Sequence, residues 1–181
     1  MSGREQSVLD AESIARIVRR MAVEIVERTS PRQLGLVGVR RGGVPIAQRL
    51  AAEIARLEGR DVPVGAVDIT LYRDDAATAL PDPKIGPSTI DYTLEGLDVV
   101  LVDDVLHTGR TVRAAIDCLL DYGRPRRVWL AVLCDRGGRE LPVAADFIGR
   151  TIEVPEGARL EVVADGGPDD RASIVHAEGR P

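Results

Sequence analysis

Cysteine is scarce: Cys118 and Cys134 are the only two in 181 residues, too few for a disulfide scaffold, and both lie in apolar runs that read as buried. Long hydrophobic stretches are missing, and none approaches the ~20 apolar residues a bilayer-spanning helix needs. The opening MSGREQSVLDAES has no apolar segment of the secretory-signal kind, so the cytoplasm is the expected compartment. Net positive charge is missing too. At −5 and a pI near 5.1, the molecule as a whole does not attract nucleic acid. Lysine is nearly absent: of 24 lysines and arginines only Lys84 is lysine, leaving 23 arginines. Base composition of the gene would produce this, and so would a need for guanidinium forks, which fit phosphate better than ammonium groups do.

What remains is an ordinary soluble composition, 44% hydrophobic and 29% charged, with enough apolar material for one core. A single domain over residues 1–181 is expected. There is no internal repeat and no low-complexity linker. Asp10 followed by Ile14, Ile17, Val18, Met21, Ile25 and Val26 predicts a capped amphipathic helix ending near Arg28. Residues 34–39 (LGLVGV) predict a short strand, 44–57 a helix, and 64–71 an alternating strand. Residues 72–92 hold three prolines and no helical period, the length and character of a functional lid. Residues 98–102 predict a buried strand, 111–122 a helix with Gly123 behind it, 128–134 another strand, and 146–149 a further piece. Beyond Glu153 only short β-like pieces are visible, at 160–164 and 173–176. Strands alternating with helices imply an α/β fold, a twisted, mostly parallel sheet with helices on both faces. Ligands of such sheets bind beyond the strand C-termini.

The chemistry concentrates at residues 99–111, VVLVDDVLHTGRT. An apolar strand carries Asp103 and Asp104 to its C-terminal edge, and Thr108, Gly109 and Thr111 follow where a helix begins. Glycine lets backbone approach an anion. Successive N–H groups and threonine hydroxyls at a helix N-terminus can wrap a monophosphate. The two carboxylates can accept hydrogen bonds from vicinal hydroxyls or hold a hydrated Mg²⁺. A phosphate beside two diol-binding acids describes a ribose 5-phosphate. There is no GxxxxGK loop, so triphosphate hydrolysis is unsupported, and no HExxH or Cys/His cluster to hold zinc.

This segment resembles, over its whole length, the phosphoribosyl-diphosphate (PRPP) signature of the type I phosphoribosyltransferases. VGVRRGG (37–43) stands where that family places its diphosphate loop, and the blocks DITLYRDD (68–75), LVDDVLHTGRT (101–111), YGRPRRVWLAVLCDRGGRELP (122–142) and ADFIGR (145–150) together narrow the resemblance to the PyrR family. These are pyrimidine-operon attenuation proteins that are also uracil phosphoribosyltransferases. The resemblance implies a fold with a small hood and a flexible lid. It implies uracil plus PRPP giving UMP plus diphosphate, Mg²⁺ bound with PRPP, a homodimer or higher homo-oligomer, and pyr leader mRNA as a partner. Asp103 and Asp104 would fix the ribose hydroxyls and meet the metal through water or substrate. Val105, Leu106, His107, Thr108, Gly109, Arg110 and Thr111 would hold the 5-phosphate. Val39, Arg40, Arg41 and Gly42 would form the diphosphate loop, and Arg73 on the lid would clamp the diphosphate. Asp135 and Arg136 would lie near the base or metal.

Arg139 and Arg150 belong to a locally basic stretch that can contact RNA phosphates. Where many relatives read Thr-Arg-Gly in the diphosphate loop, this sequence has Arg41, Gly42 and Gly43. Relatives that regulate RNA tend to carry a histidine at Gly138, a basic residue at Ala144 and another histidine near Val23. Tyr72 reads as a hinge packing residue, His107 as a contact rather than a general base, His176 as surface, and Trp129 as core or dimer interface. Two other functions stay open on the residues alone: a non-catalytic RNA-binding regulator that senses UMP or UTP, and a transferase for another base such as hypoxanthine.

Overall fold

The computed structural model describes residues 5–72, 74 and 88–176. Strand β1 (Glu5–Asp10) leads into helix α1 (Ala11–Arg28), and a short 3₁₀ turn (Pro31–Gln33) into β2 (Leu34–Val39). Helix α2 (Gly43–Glu58), β3 (Val64–Val67), β4 (Asp98–Leu106), α3 (Arg110–Leu120), β5 (Arg127–Asp135) and β6 (Phe147–Thr151) follow. Strands β7 (Ala158–Val163) and β8 (Arg171–His176) close the described chain. The main sheet runs β3-β2-β4-β5-β6, and all its pairings are parallel.

Strand periodicity divides the core in two. Along β2 and β4, Leu34, Leu36, Val100 and Val102 face α1 and α2, while Val37, Val39, Val99 and Leu101 face α3. Both layers are built of buried hydrophobic side chains, so both faces of β4 are apolar along residues 99–102, as a central parallel strand requires. Asp10 caps α1 by accepting the Ser13 N–H at 2.8 Å, and Ile14, Ile17, Val18, Met21 and Ile25 form its buried stripe.

Strands β1, β8 and β7 form a separate antiparallel sheet, the hood. The alternation predicted only β7 and β8. In β1, EQSVLD has too few apolar residues to announce a strand, and it forms because β8 supplies the ladder. Leu9, Leu160, Ala172 and Ile174 carry the hood into the same core as α1 and α2. Asp170, 4% exposed, ties it to α2: its carboxylate accepts from Arg49 at 2.7 Å and from the N–H groups of Gly166 and Gly167.

Most boundaries shift by a residue or two from the sequence reading, and three shifts bear on the argument. Strand β3 stops at Val67, because the Asp68 carboxylate accepts both the N–H and the hydroxyl of Thr70 and turns the chain. Strand β4 continues through both acids to Leu106, since β5 supplies partners as far as Asp135. Helix α3 ends at Leu120. Most of the expected lid at 72–92, Arg73 included, lies outside the described residues. Its return is anchored: Ala66 and Thr89 exchange two backbone hydrogen bonds of 2.8 Å, and the Tyr92 hydroxyl donates to the Leu36 carbonyl.

Candidate active site

The C-terminal ends of β2, β4 and β5 meet around the paired acids. Asp103 is 5% exposed and accepts the Asp104 N–H at 2.9 Å, and Asp104 accepts the Val105 N–H at 2.8 Å. The β2–α2 loop lies directly against them. A Cβ on Gly42 would stand 2.5 Å from the Asp104 Cγ, and one on Gly43 would strike the Val102 carbonyl oxygen. Glycine is needed here for close approach, because the Gly42 φ of −68° suits any residue. The Arg40–Arg41 peptide is cis. Arg40, Arg41 and Gly42 face Asp68, Thr70, Asp103 and Asp104 across a cleft of about 310 Å³. The Arg40 Nε is buried without a partner among the described residues.

A second cleft, about 370 Å³, is lined by residues 105–112 and Glu140. It shares Val105 and Thr111 with the first, so the two are contiguous. Gly109 caps α3 in the left-handed region at φ 93°, and a Cβ there would also press on Val143 at 3.2 Å. The first-turn N–H groups that follow have no acceptor within the helix and stand at its positive end. Arg110 flanks the cleft between two carboxylates, Glu140 at 2.7 Å and Asp74 at 2.5 Å. The N-terminus of α3 and the carboxylate pair thus stand side by side on contiguous clefts.

The β5–β6 loop forms the third wall. Arg139 donates to Asp135 at 2.6 Å, to the His107 carbonyl at 2.8 Å and to the Val143 carbonyl at 3.0 Å. Burial alone would raise the Asp135 pKa. The Arg139 bond and the Gly137 N–H outweigh it, and the carboxyl titrates below its usual value. Arg136 reaches the hood through the Ala158 carbonyl, and its backbone N–H donates to Leu106. His107 lies over Gly138, where a Cβ would come within 2.8 Å of Nε2.

Partial burial and the nearby Arg136 and Arg139 push the His107 pKa down, against a smaller opposing pull from Glu140. The neutral imidazole is therefore favoured, which suits a contact role. The unfolded chain takes up this proton more readily, so folding stability falls as pH drops below about 6.5. An NMR titration is expected to place the His107 midpoint below that value. A midpoint above it would show that Glu140 dominates instead.

Not every expected residue converges here. Arg150 lies apart, in a cleft of about 390 Å³ with Ser13, Arg16 and Arg20 between α1 and β6. The Tyr72 hydroxyl donates to Asp121, which pushes the Tyr72 pKa up to about 12. Trp129 is 8% exposed and packs tilted against Phe147. Asp68 and Thr70 line the first cleft unforeseen, although the Asp-x-Thr turn pattern at a strand end could have flagged them. Glu140 had no sequence signal, since only folding brings it to the cleft of residues 105–112.

A family model described as a phosphoribosyl transferase domain matches residues 5–162. A protein named Bifunctional protein PyrR from Roseiflexus sp. is 49% identical over 169 residues, 91% of this chain and 92% of that one. Its namesake from Pelotomaculum thermopropionicum is 50% identical over 163 residues, 90% and 89% of the two chains. Among solved structures, the hypoxanthine phosphoribosyltransferase of Trypanosoma cruzi in complex with IMP matches with a TM-score of 0.71. That match covers 97% of this chain and 92% of the other at 16% identity, a likeness of fold.

Proposed function

Because this chain belongs to the phosphoribosyltransferases and, within them, to the PyrR family, we propose that it transfers the 5-phosphoribosyl group of PRPP to uracil and that its product UMP governs binding to pyr leader mRNA. The observation that carries the transfer is the contiguity of the two clefts, one with paired acids and one with a glycine-opened helix N-terminus. The 5-phosphate takes residues 105–111, the ribose hydroxyls bond Asp103 and Asp104, and the diphosphate meets Arg40, Arg41 and, from the lid, Arg73. Uracil forms an N–C1 bond as the C1–O bond to diphosphate breaks, and the base gives up one proton. Neutral His107 is a contact, and Arg139 holds Asp135 in position beside the base.

No group of three or more metal-ligating side chains occurs among the described residues. Asp103 and Asp104 fit a Mg²⁺ that arrives with the diphosphate, because Mg²⁺ keeps waters and takes one or two carboxylates plus substrate oxygens. When bound, it offsets the leaving group's charge. The side chains orient the ribose. No helix among the described residues is long and apolar enough to cross a membrane. The proposed setting is a cytoplasmic homodimer or higher homo-oligomer.

The deciding experiment is a panel of bases assayed with PRPP and Mg²⁺. Uracil is expected to give UMP, and purine turnover without uracil turnover would overturn the base assignment. Filter binding at low salt then tests the regulatory half. A cognate leader hairpin with UMP is expected to bind better than a scrambled one, with a log–log salt slope of about −0.7 per neutralised phosphate. Arg150→Ala is expected to weaken RNA binding alone. Arg139→Ala is expected to slow turnover as well, because it releases Asp135 and the His107 carbonyl. Equal affinity for both hairpins would remove the RNA role and leave the transferase.

A further inference from the structure

We propose that the opposite end of the sheet carries a second site, which binds the phosphate group of a nucleotide or of a polynucleotide strand. Arg28, Ser30, Asp98, Arg126, Arg127 and Trp129 line a cleft of about 330 Å³ there. Asp98 opens β4 and Arg127 opens β5, whereas Asp104 and Asp135 stand near the other ends of those strands. Eight steps along β5 amount to about 26 Å, so the cleft is remote from the PRPP site.

Its charge is unbalanced. Asp98 is 4% exposed and is held by Arg126 at 2.9 Å, which leaves that guanidinium further free donors. Arg28 donates to the Asp146 carbonyl at 2.6 Å and pairs with its carboxylate at 3.8 Å, which leaves three arginines against Asp98 and Asp146, and its guanidinium lies 5.0 Å from the Trp129 ring centroid and 4.7 Å from that of Phe147. Arg127 lies 4.9 Å from the same centroid and makes no hydrogen bond or ion pair among the described residues. The carbonyl end of α1 borders the cleft and opposes an anion; Thr29 donates both its N–H and its hydroxyl to the Ile25 carbonyl there, and the guanidinium groups must outweigh the carbonyls that follow. Two guanidinium groups anchored by a flat ring and a third with donors to spare suit the tetrahedral oxygens of a phosphate. Trp129 Nε1 is buried and likewise has no partner among the described residues.

Trp129 is the only tryptophan in the chain, so its emission reports on this cleft directly. The full-length protein is titrated separately with inorganic phosphate, UMP and a short oligouridylate. A saturable emission change is expected, about tenfold weaker in Arg127→Gln, the loss of one charge-assisted contact. Uracil turnover in that variant is expected to stay unchanged. Saturation by UMP at lower phosphate concentration than by the oligomer identifies a free nucleotide, and the reverse order identifies a strand. The change is expected to persist in Asp103→Asn with Asp104→Asn. Emission that ignores all three probes overturns the site. So does a response that Arg127→Gln leaves intact, or one lost with the acid pair, which would belong to the PRPP site.

Discussion

Asp103→Asn combined with Asp104→Asn is expected to lower nucleotide formation at least ~100-fold while the protein stays folded. The fold tolerates the change because each amide oxygen can still accept the following backbone N–H, now at 2.9 Å and 2.8 Å. The stability cost is therefore within about 1 kcal/mol. Function does not tolerate it, because an amide carries no charge to orient the ribose hydroxyls or the hydrated metal. Initial rates and thermal melts on the same preparation separate the two effects. Turnover at the wild-type level in the double variant would remove these acids from the site.

Gly42→Ala is expected to be as damaging although only one methyl is added. Backbone angles of −68° and −30° suit alanine, and removing a glycine restricts the unfolded chain, so stability holds or rises by up to ~1 kcal/mol. The new Cβ, however, would stand 2.5 Å from the Asp104 Cγ, and that carboxylate must swing away. A displacement near 1 Å at a reacting centre costs about 100-fold in rate. Gly59→Ala is the control. At that helix end φ is 65° and nothing lies within 4 Å, so the variant is expected to lose about 1 kcal/mol of stability and no activity. If Gly42→Ala turned over normally, the diphosphate loop would not constrain Asp104.

The sequence and the structure agree most where one residue's neighbours in the chain are also its neighbours in space. The acids, the threonines and Gly109 lie within one strand–turn–helix unit, and their spacing alone placed them on adjacent clefts. Helix α1 was legible for the same reason, since Asp10 and its apolar stripe are local. Strand β1 was not, because its partner is more than 160 residues away and its own residues are mostly polar. Arg139 misled in another way. A guanidinium in a basic stretch looks like a surface contact until the loop folds and commits its donors to Asp135, His107 and Val143. Asp68 turned a predicted strand into a bend for a similar reason, its side chain competing with the ladder for Thr70.

The pairing of Glu5 with Val175 also sets the order in which the molecule can be completed. The strands of the main sheet are joined through nearby crossovers and can assemble as the chain lengthens. Strand β1 must wait for β8, which carries the largest loop-closure entropy of any pairing in the fold. During synthesis, a strand made before every other described strand is thus among the last to find its place. Until it does, Leu9 and the hood-facing side of α1 stay exposed, and Arg136 lacks the Ala158 carbonyl that anchors its side chain. A nascent chain stalled before β8 is therefore expected to hold the turn between β4 and α3 already shaped while the hood is still unmade.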